Sequence, residues 1–195
     1  MRGSGPAPSF VKPKSCWKSR KNNTFPRVGP RVGIDSGARA QQPPQTMLTI
    51  HGTCVALSGF GVLLRGPPGS GKSDLALRLI DGGARLVADD QIELTLDAAG
   101  RVMARAPKTL AGLLEVRGVG ILPMDAARTA PIGLVVDLAP DDKVERLPEI
   151  ETSALLDRPI RRLTLSPFHA STPAKLRLAA ARLAGGALHP VPERP

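Results

Sequence analysis

Aromatic side chains are almost missing from this chain, with Phe 4, Trp 1 and Tyr 0 in 195 residues. That removes the base-stacking platforms of single-strand RNA and DNA readers, and it leaves Leu, Val, Ile and Ala to build the core. Cysteine is as scarce. Cys16 and Cys54 make neither a disulfide framework nor a metal-spacing motif, so a reducing, cytoplasmic home is expected. The longest apolar stretches, such as Ile132 to Leu138, are far short of the ~20 residues that cross a bilayer. Missing too is the N-K-x-D with which GTPases read their base.

What is present is an ordinary globular balance, 42% apolar and 23% charged, at a length that fits one domain. The net charge of +10 invites a nucleic-acid partner until its location is considered. Residues 1 to 46 hold 9 Lys/Arg against one acid, Asp35, and the other 149 residues hold 18 against 16. The basic character therefore belongs to a leader, and no nucleic-acid or membrane partner is expected of the rest.

Residues 1–46 are rich in Pro, Gly, Ser and Arg and carry isolated apolar residues in no period. They are expected to be disordered, because they cannot bury enough surface to offset the entropy of ordering. Pro and Gly throughout argue against an amphipathic transit helix, and the apolar stretch of a secretory signal is absent. Because periodic character begins right after Met47, a start-site artefact is favoured over a nucleic-acid-binding arm. Mass spectrometry of the native N-terminus decides between them. A domain is expected over 47–187 and a tail over 188–195.

Within that domain, Met47 to Ile50, Thr53 to Leu57 and Gly61 to Arg65 read as strands. Asp74 to Ile80 reads as a helix, with Leu75, Ala76, Leu79 and Ile80 on one face and Gly82-Gly83 as its stop. Arg85 to Ala88 is a buried strand, and Ile92 to Leu96 with Val102 to Ala104 reads as a hairpin. Gly133 to Leu138 is a continuous apolar strand of the kind covered on both faces. Arg161 to Leu165 is a weaker strand. Ser171 or Thr172 then caps a helix that opens with Pro173 and stops at Gly185-Gly186. The fold class expected is α/β, a P-loop nucleotide-binding fold with a mixed β-sheet flanked by helices.

Gly66-Pro67-Pro68-Gly69-Ser70-Gly71-Lys72-Ser73 meets G-x-x-x-x-G-K-[ST] at every constrained position, between a strand and a helix. Its glycines let backbone N–H groups and the helix N-terminus face an anion. Lys72 adds a full charge for the β- and γ-phosphates, and the Ser73 hydroxyl is placed for Mg²⁺. ATP and Mg²⁺ are the implied ligands. A glycine turn with a chance lysine is the competing reading. The length suits a small kinase.

Asp89-Asp90 ends the strand after the loop helix, where such folds deliver a carboxylate to the nucleotide. Neighbouring acids point to different sides, so Asp89 can support the metal while Asp90 acts as base for an incoming hydroxyl. A solvated Asp-Asp turn competes with that reading, and Asp137 is a rival metal-side acid. Glu115, ahead of Gly118 and Gly120, could hold the metal or its water. His51 could orient a phosphate or be a hydrogen-bonded structural histidine.

Together these pieces resemble the catalytic domain of the bacterial HPr kinase/phosphorylase family in its short form, over about Met47 to Gly185. The motifs that carry the resemblance are Ile50-His51-Gly52, the glycine loop, Val87-Ala88-Asp89-Asp90, and Leu114-Glu115-Val116-Arg117-Gly118-Val119-Gly120-Ile121, which is similar to the family signature. The resemblance implies an ATP-dependent serine kinase acting on the phosphocarrier HPr or a related carrier, assembled as a homohexamer. It implies His51, Lys72, Asp90 and Arg146 as catalytic residues, with Ser73 and Glu115 on Mg²⁺. Where the family carries Pro-x-Arg-Pro-Gly-Arg, this chain has Ser166-Pro167-Phe168-His169-Ala170-Ser171. Two bidentate phosphate donors are lost there, so kinase activity is expected to survive and phosphorolysis to be weak or absent. The alternatives are an ATP-sensing module without phosphotransfer, or a metabolite kinase with Arg158, Arg161 and Arg162 as its lid.

Overall fold

The computed structural model describes residues 46–186. The basic leader and the tail, with the expectations placed on them, lie outside the described residues. In chain order the elements are β1 (Leu48–His51), β2 (Thr53–Leu57), β3 (Phe60–Arg65), α1 (Lys72–Asp81), β4 (Arg85–Ala88), β5 (Gln91–Leu96), β6 (Val102–Arg105), β7 (Leu113–Val116), β8 (Gly120–Pro123), β9 (Ala130–Leu138), β10 (Glu151–Leu155), β11 (Arg158–Leu165) and α2 (Thr172–Ala184). A 3₁₀ turn at Asp141–Lys143 follows β9.

Nine strands form one mixed sheet. Its main path runs β1-β5-β6-β9-β3-β2-β4, and β11 pairs with β9 and with β10. β9 runs parallel to β3 and to β11, and the hairpin-linked neighbours are antiparallel. The apolar run Gly133 to Leu138 becomes the organising strand because both of its faces are covered. Leu134, Val136 and Leu138 join Leu75, Ala76 and Leu79 of α1 and Leu176 of α2 in one core. Ile132 and Val135 join Ile92, Leu94, Val102 and Ala104 in a second. Both helices thus pack on one face, whereas helices flanking the sheet were expected. β5 and β6 close the other face.

The register between β3 and β9 shifts where Gly61 opposes Ile132 and Val62 opposes Leu134. Gly133 is the extra residue. A Cβ there would lie 2.6 Å from the Phe60 ring, so only glycine lets the aromatic lie across the bulge.

α1 starts at Lys72, three residues before the apolar stripe begins at Leu75, because Gly71 in the left-handed region already turns the chain into the helix. Two features were not anticipated. The hairpin of β7 and β8 forms a separate two-stranded sheet, and Gly120–Pro123 is exposed along its whole length, so it has no buried face to write a pattern. β10, Glu-Thr-Ser-Ala-Leu, is a polar strand paired only through β11. No helix among the described residues is long and apolar enough to cross a membrane.

Candidate functional site

β3 delivers the chain at Arg65 into the glycine loop, and α1 leaves it at Lys72. Gly69 and Gly71 hold φ of 80° and 83°, a region that side chains with a Cβ resist. The helix starts with no side-chain cap, so its first-turn N–H groups, which have no intrahelical acceptor, remain available at the positive end of the helix dipole. Lys72 lies across the turn and donates to the carbonyls of Gly66 (2.9 Å) and Pro67 (3.0 Å).

Just after β4, Asp89 is buried and accepts from three directions. The Thr53 hydroxyl donates at 2.7 Å, the Ser73 hydroxyl at 3.0 Å and the Glu115 backbone N–H at 3.3 Å. This joins the loop helix, β2, β4 and β7 at one carboxylate. Thr53 was not singled out in the sequence. Its signal was a hydroxyl opening the otherwise apolar strand Thr53–Leu57, and its meaning depends on β2 lying beside β4, where Cys54 faces Ala88.

Asp90 turns the other way. Its φ of 68° is a left-handed conformation for a non-glycine residue, held in part by its carbonyl accepting from Gly52 N–H at 3.1 Å. A Cβ at Gly52 would stand 2.8 Å from the Leu64 carbonyl oxygen, so glycine is required for the corner to approach. That corner sets His51 Nδ1 3.7 Å from Asp90 Oδ1, both side chains exposed. The competing idea of a simple solvated turn accounts for Asp90 alone, not for the buried, triply bonded Asp89.

A cleft of about 570 Å³ opens over these groups, with Lys72, Ser73, Asp89, Asp90 and Glu115 in its walls. Arg117, Leu77 and Phe168 also line it; Arg117 stands in the signature stretch without an assigned role, and Leu77 and Phe168 were not expected at the site. Arg146 is not brought to it: the residue is exposed in the irregular stretch after the 3₁₀ turn. Asp137 is not available as a metal-side acid, since Arg65 grips it through Nε at 2.8 Å and Nη2 at 3.0 Å and Arg162 donates to it as well. Partial burial pushes its carboxyl pKa up, and the hydrogen bonds from Arg65 and Arg162 outweigh that and hold it below the ordinary carboxylate value. The Arg158–Arg161–Arg162 lid does not form over the cleft either, because Arg162 is spent on Asp137 and Glu151.

Ser73 and Asp89 suit Mg²⁺, which takes oxygen ligands and keeps several waters. The Ser73 hydroxyl donates to Asp89, which leaves its lone pairs for a cation, and the Glu115 carboxylate is exposed at the same cleft. Among the described residues no group of three or more His, Cys, Asp and Glu converges as a dedicated metal cage.

The segment Ser166–Ser171 lies beside the loop, with the Phe168 ring against Gly71. In place of arginines on the segment itself, Arg78 of α1 reaches its backbone carbonyls.

Comparison with known proteins gives consistent matches. Residues 45–170 match the model of the HPr Serine kinase C-terminal domain. The HPr kinase/phosphorylase of Bordetella pertussis is 41% identical over 128 residues, 60% of this chain and 42% of that protein. That of Clostridium beijerinckii is 39% identical over 124 residues, 62% of this chain and 39% of its own length. The chain thus spans about two fifths of these relatives. The structure of the Hpr(Ser) kinase/phosphatase from Coxiella burnetii superposes with a TM-score of 0.60 at 24% identity, over 71% of this chain and 89% of that one, a likeness of fold.

Proposed function

Since the chain belongs to the HPr serine kinase C-terminal domain family, we propose that its cleft binds ATP with Mg²⁺ and transfers the terminal phosphoryl group to a seryl hydroxyl of an HPr-type phosphocarrier. The observation that carries this reading is the split of the two acids: Asp89 tied to the Ser73 hydroxyl, and Asp90 exposed next to it beside His51. Cytoplasmic location and hexameric assembly belong to the same reading through the family resemblance.

In this mechanism the free amides at the start of α1 hold the phosphates. Lys72 exchanges two neutral carbonyls for phosphate oxygens, a stronger charge-assisted contact. Ser73, with Asp89 and Glu115, would hold Mg²⁺, which would neutralise phosphate charge there. Asp90 takes the proton as the seryl oxygen bonds to the γ-phosphorus and the bond from that phosphorus to the β,γ-bridging oxygen breaks, releasing ADP. His51 steadies the Asp90 carboxylate and can meet the transferred group. Arg146 keeps a catalytic part only if the stretch after the 3₁₀ turn folds over the acceptor.

The test is purified protein with γ-labelled ATP, Mg²⁺ and an HPr-type carrier. Label is expected on a serine of the carrier. Asp90→Asn is expected to lower turnover by roughly 10²–10⁴-fold with nucleotide affinity little changed. A sensor without phosphotransfer gives no labelled carrier in either protein. Phosphorolysis is expected to be weak or absent, because Ser166–Ser171 offers no guanidinium for inorganic phosphate. Pyrophosphate release from phosphoseryl carrier at a rate comparable to the forward reaction contradicts that.

A further inference from the structure

Phe168 is the exposed aromatic of the described residues, at 68%, and it stands in the wall of the cleft. Its position is built rather than loose. A Cβ at Gly71 would lie 2.9 Å from the ring, so the loop is shaped to admit it. Arg78 donates to the carbonyl on each side of it, that of Pro167 and that of His169, and is itself bridged to Asp74 at 2.8 Å. The Thr172 hydroxyl donates to the Ser166 carbonyl at 2.6 Å, and His169 Nε2 meets Asp141 at 3.2 Å. A braced turn therefore holds an apolar ring in water, at a cost that burial under a ligand would remove.

The helix says which part of a ligand reaches that ring. Successive residues of α1 are ~100° apart around its axis. Ser73 faces Asp89, and Asp74 faces Arg78 and the turn that carries Phe168. A terminal phosphate placed for Asp90 lies on the Ser73 side, and the amides of the helix start hold the group behind it. With its terminal phosphate there, the remainder of a nucleotide would leave toward Asp74 and Phe168, which line the same cleft.

We propose that Phe168 is the stacking wall for the nucleoside of ATP, a subsite distinct from the phosphate cradle. It rests on the reading of the glycine loop as a triphosphate site. Stacking on an aromatic face contributes ~1–3 kcal/mol per base, which corresponds to a change of roughly 5- to 150-fold in Kd.

Calorimetric titration of the full chain with MgATP and with magnesium tripolyphosphate, which has no nucleoside, separates the two ideas. Phe168→Ala is expected to weaken MgATP about tenfold or more and to leave tripolyphosphate within about twofold, with Phe168→Trp restoring MgATP. Equal weakening of both ligands means that the ring only props the loop, and overturns the proposal. Unchanged MgATP affinity in Phe168→Ala overturns it also, including the case where only the KM for the carrier protein rises. A wild-type chain that binds neither ligand overturns the triphosphate reading itself, and the stacking wall with it.

Discussion

Thr53 shows how a single side chain can be silent in a sequence and central in the fold. It is fully buried, and its hydroxyl is one of three donors to Asp89. Replacing it by valine keeps shape and removes the donor, leaving a buried carboxylate oxygen short of a partner, a loss of ~1–3 kcal/mol. Thr53→Val is expected to lower the unfolding free energy by about that much and to raise the Mg²⁺ concentration needed for half-maximal activity, with Thr53→Ser restoring both. A normal Mg²⁺ dependence in a correctly folded Thr53→Val protein contradicts the positioning role. Lys72, Ser73, Asp89 and Asp90 were legible beforehand because a strand, a glycine loop and a helix place them by local geometry. Thr53 was not, since its partner lies 36 residues away and only strand pairing joins them. Cys54 carries the opposite lesson: full burial pushes its thiol pKa up to about 12, so it is packing material and not a nucleophile.

The elements divide along the same line. β9 and α1 were visible as a continuous apolar run and a one-face stripe, because each buries what it displays. The β7–β8 hairpin escaped notice because Val119 and Ile121 stay 69% and 68% exposed, and β10 because it is polar and held at an edge. Asp137 was misread for a physical reason: an acid at the end of a buried strand is an equally good anchor for cations, and here β3 and β11 each supply an arginine. Its folded-state pKa is depressed, so its contribution to stability is complete above the unfolded value of about 3.9 and is lost as pH falls through the folded value. Asp137→Asn is expected to be less stable than wild type at pH 7, with the gap narrowing below about pH 4. Denaturation midpoints at pH 7 and pH 3 check this, and a gap that is constant or widens in acid contradicts it.

Taken as one body, the described residues present a large cleft, and besides Thr53 of β2 its chemistry comes from four separated stretches of chain: the glycine loop with the start of α1, the corner at Asp89-Asp90, the hairpin residues Glu115 and Arg117, and the turn around Phe168. Three of these carried a sequence signal. The fourth did not, because the segment was legible only as a place where arginines are missing, and what stands there is an aromatic held by Arg78 from another element. The excess of positive charge sits before residue 47, so attraction of a triphosphate depends on local groups and not on the net field of the domain. Nucleotide binding therefore rests on Lys72 and the amides beside it. Titration of the purified chain with MgATP, in parallel with Lys72→Ala, tests that most directly. One nucleotide per chain is expected for the wild type and a loss of about tenfold or more in affinity for the variant, whereas no heat of binding in the wild type, or equal affinity in both, contradicts it.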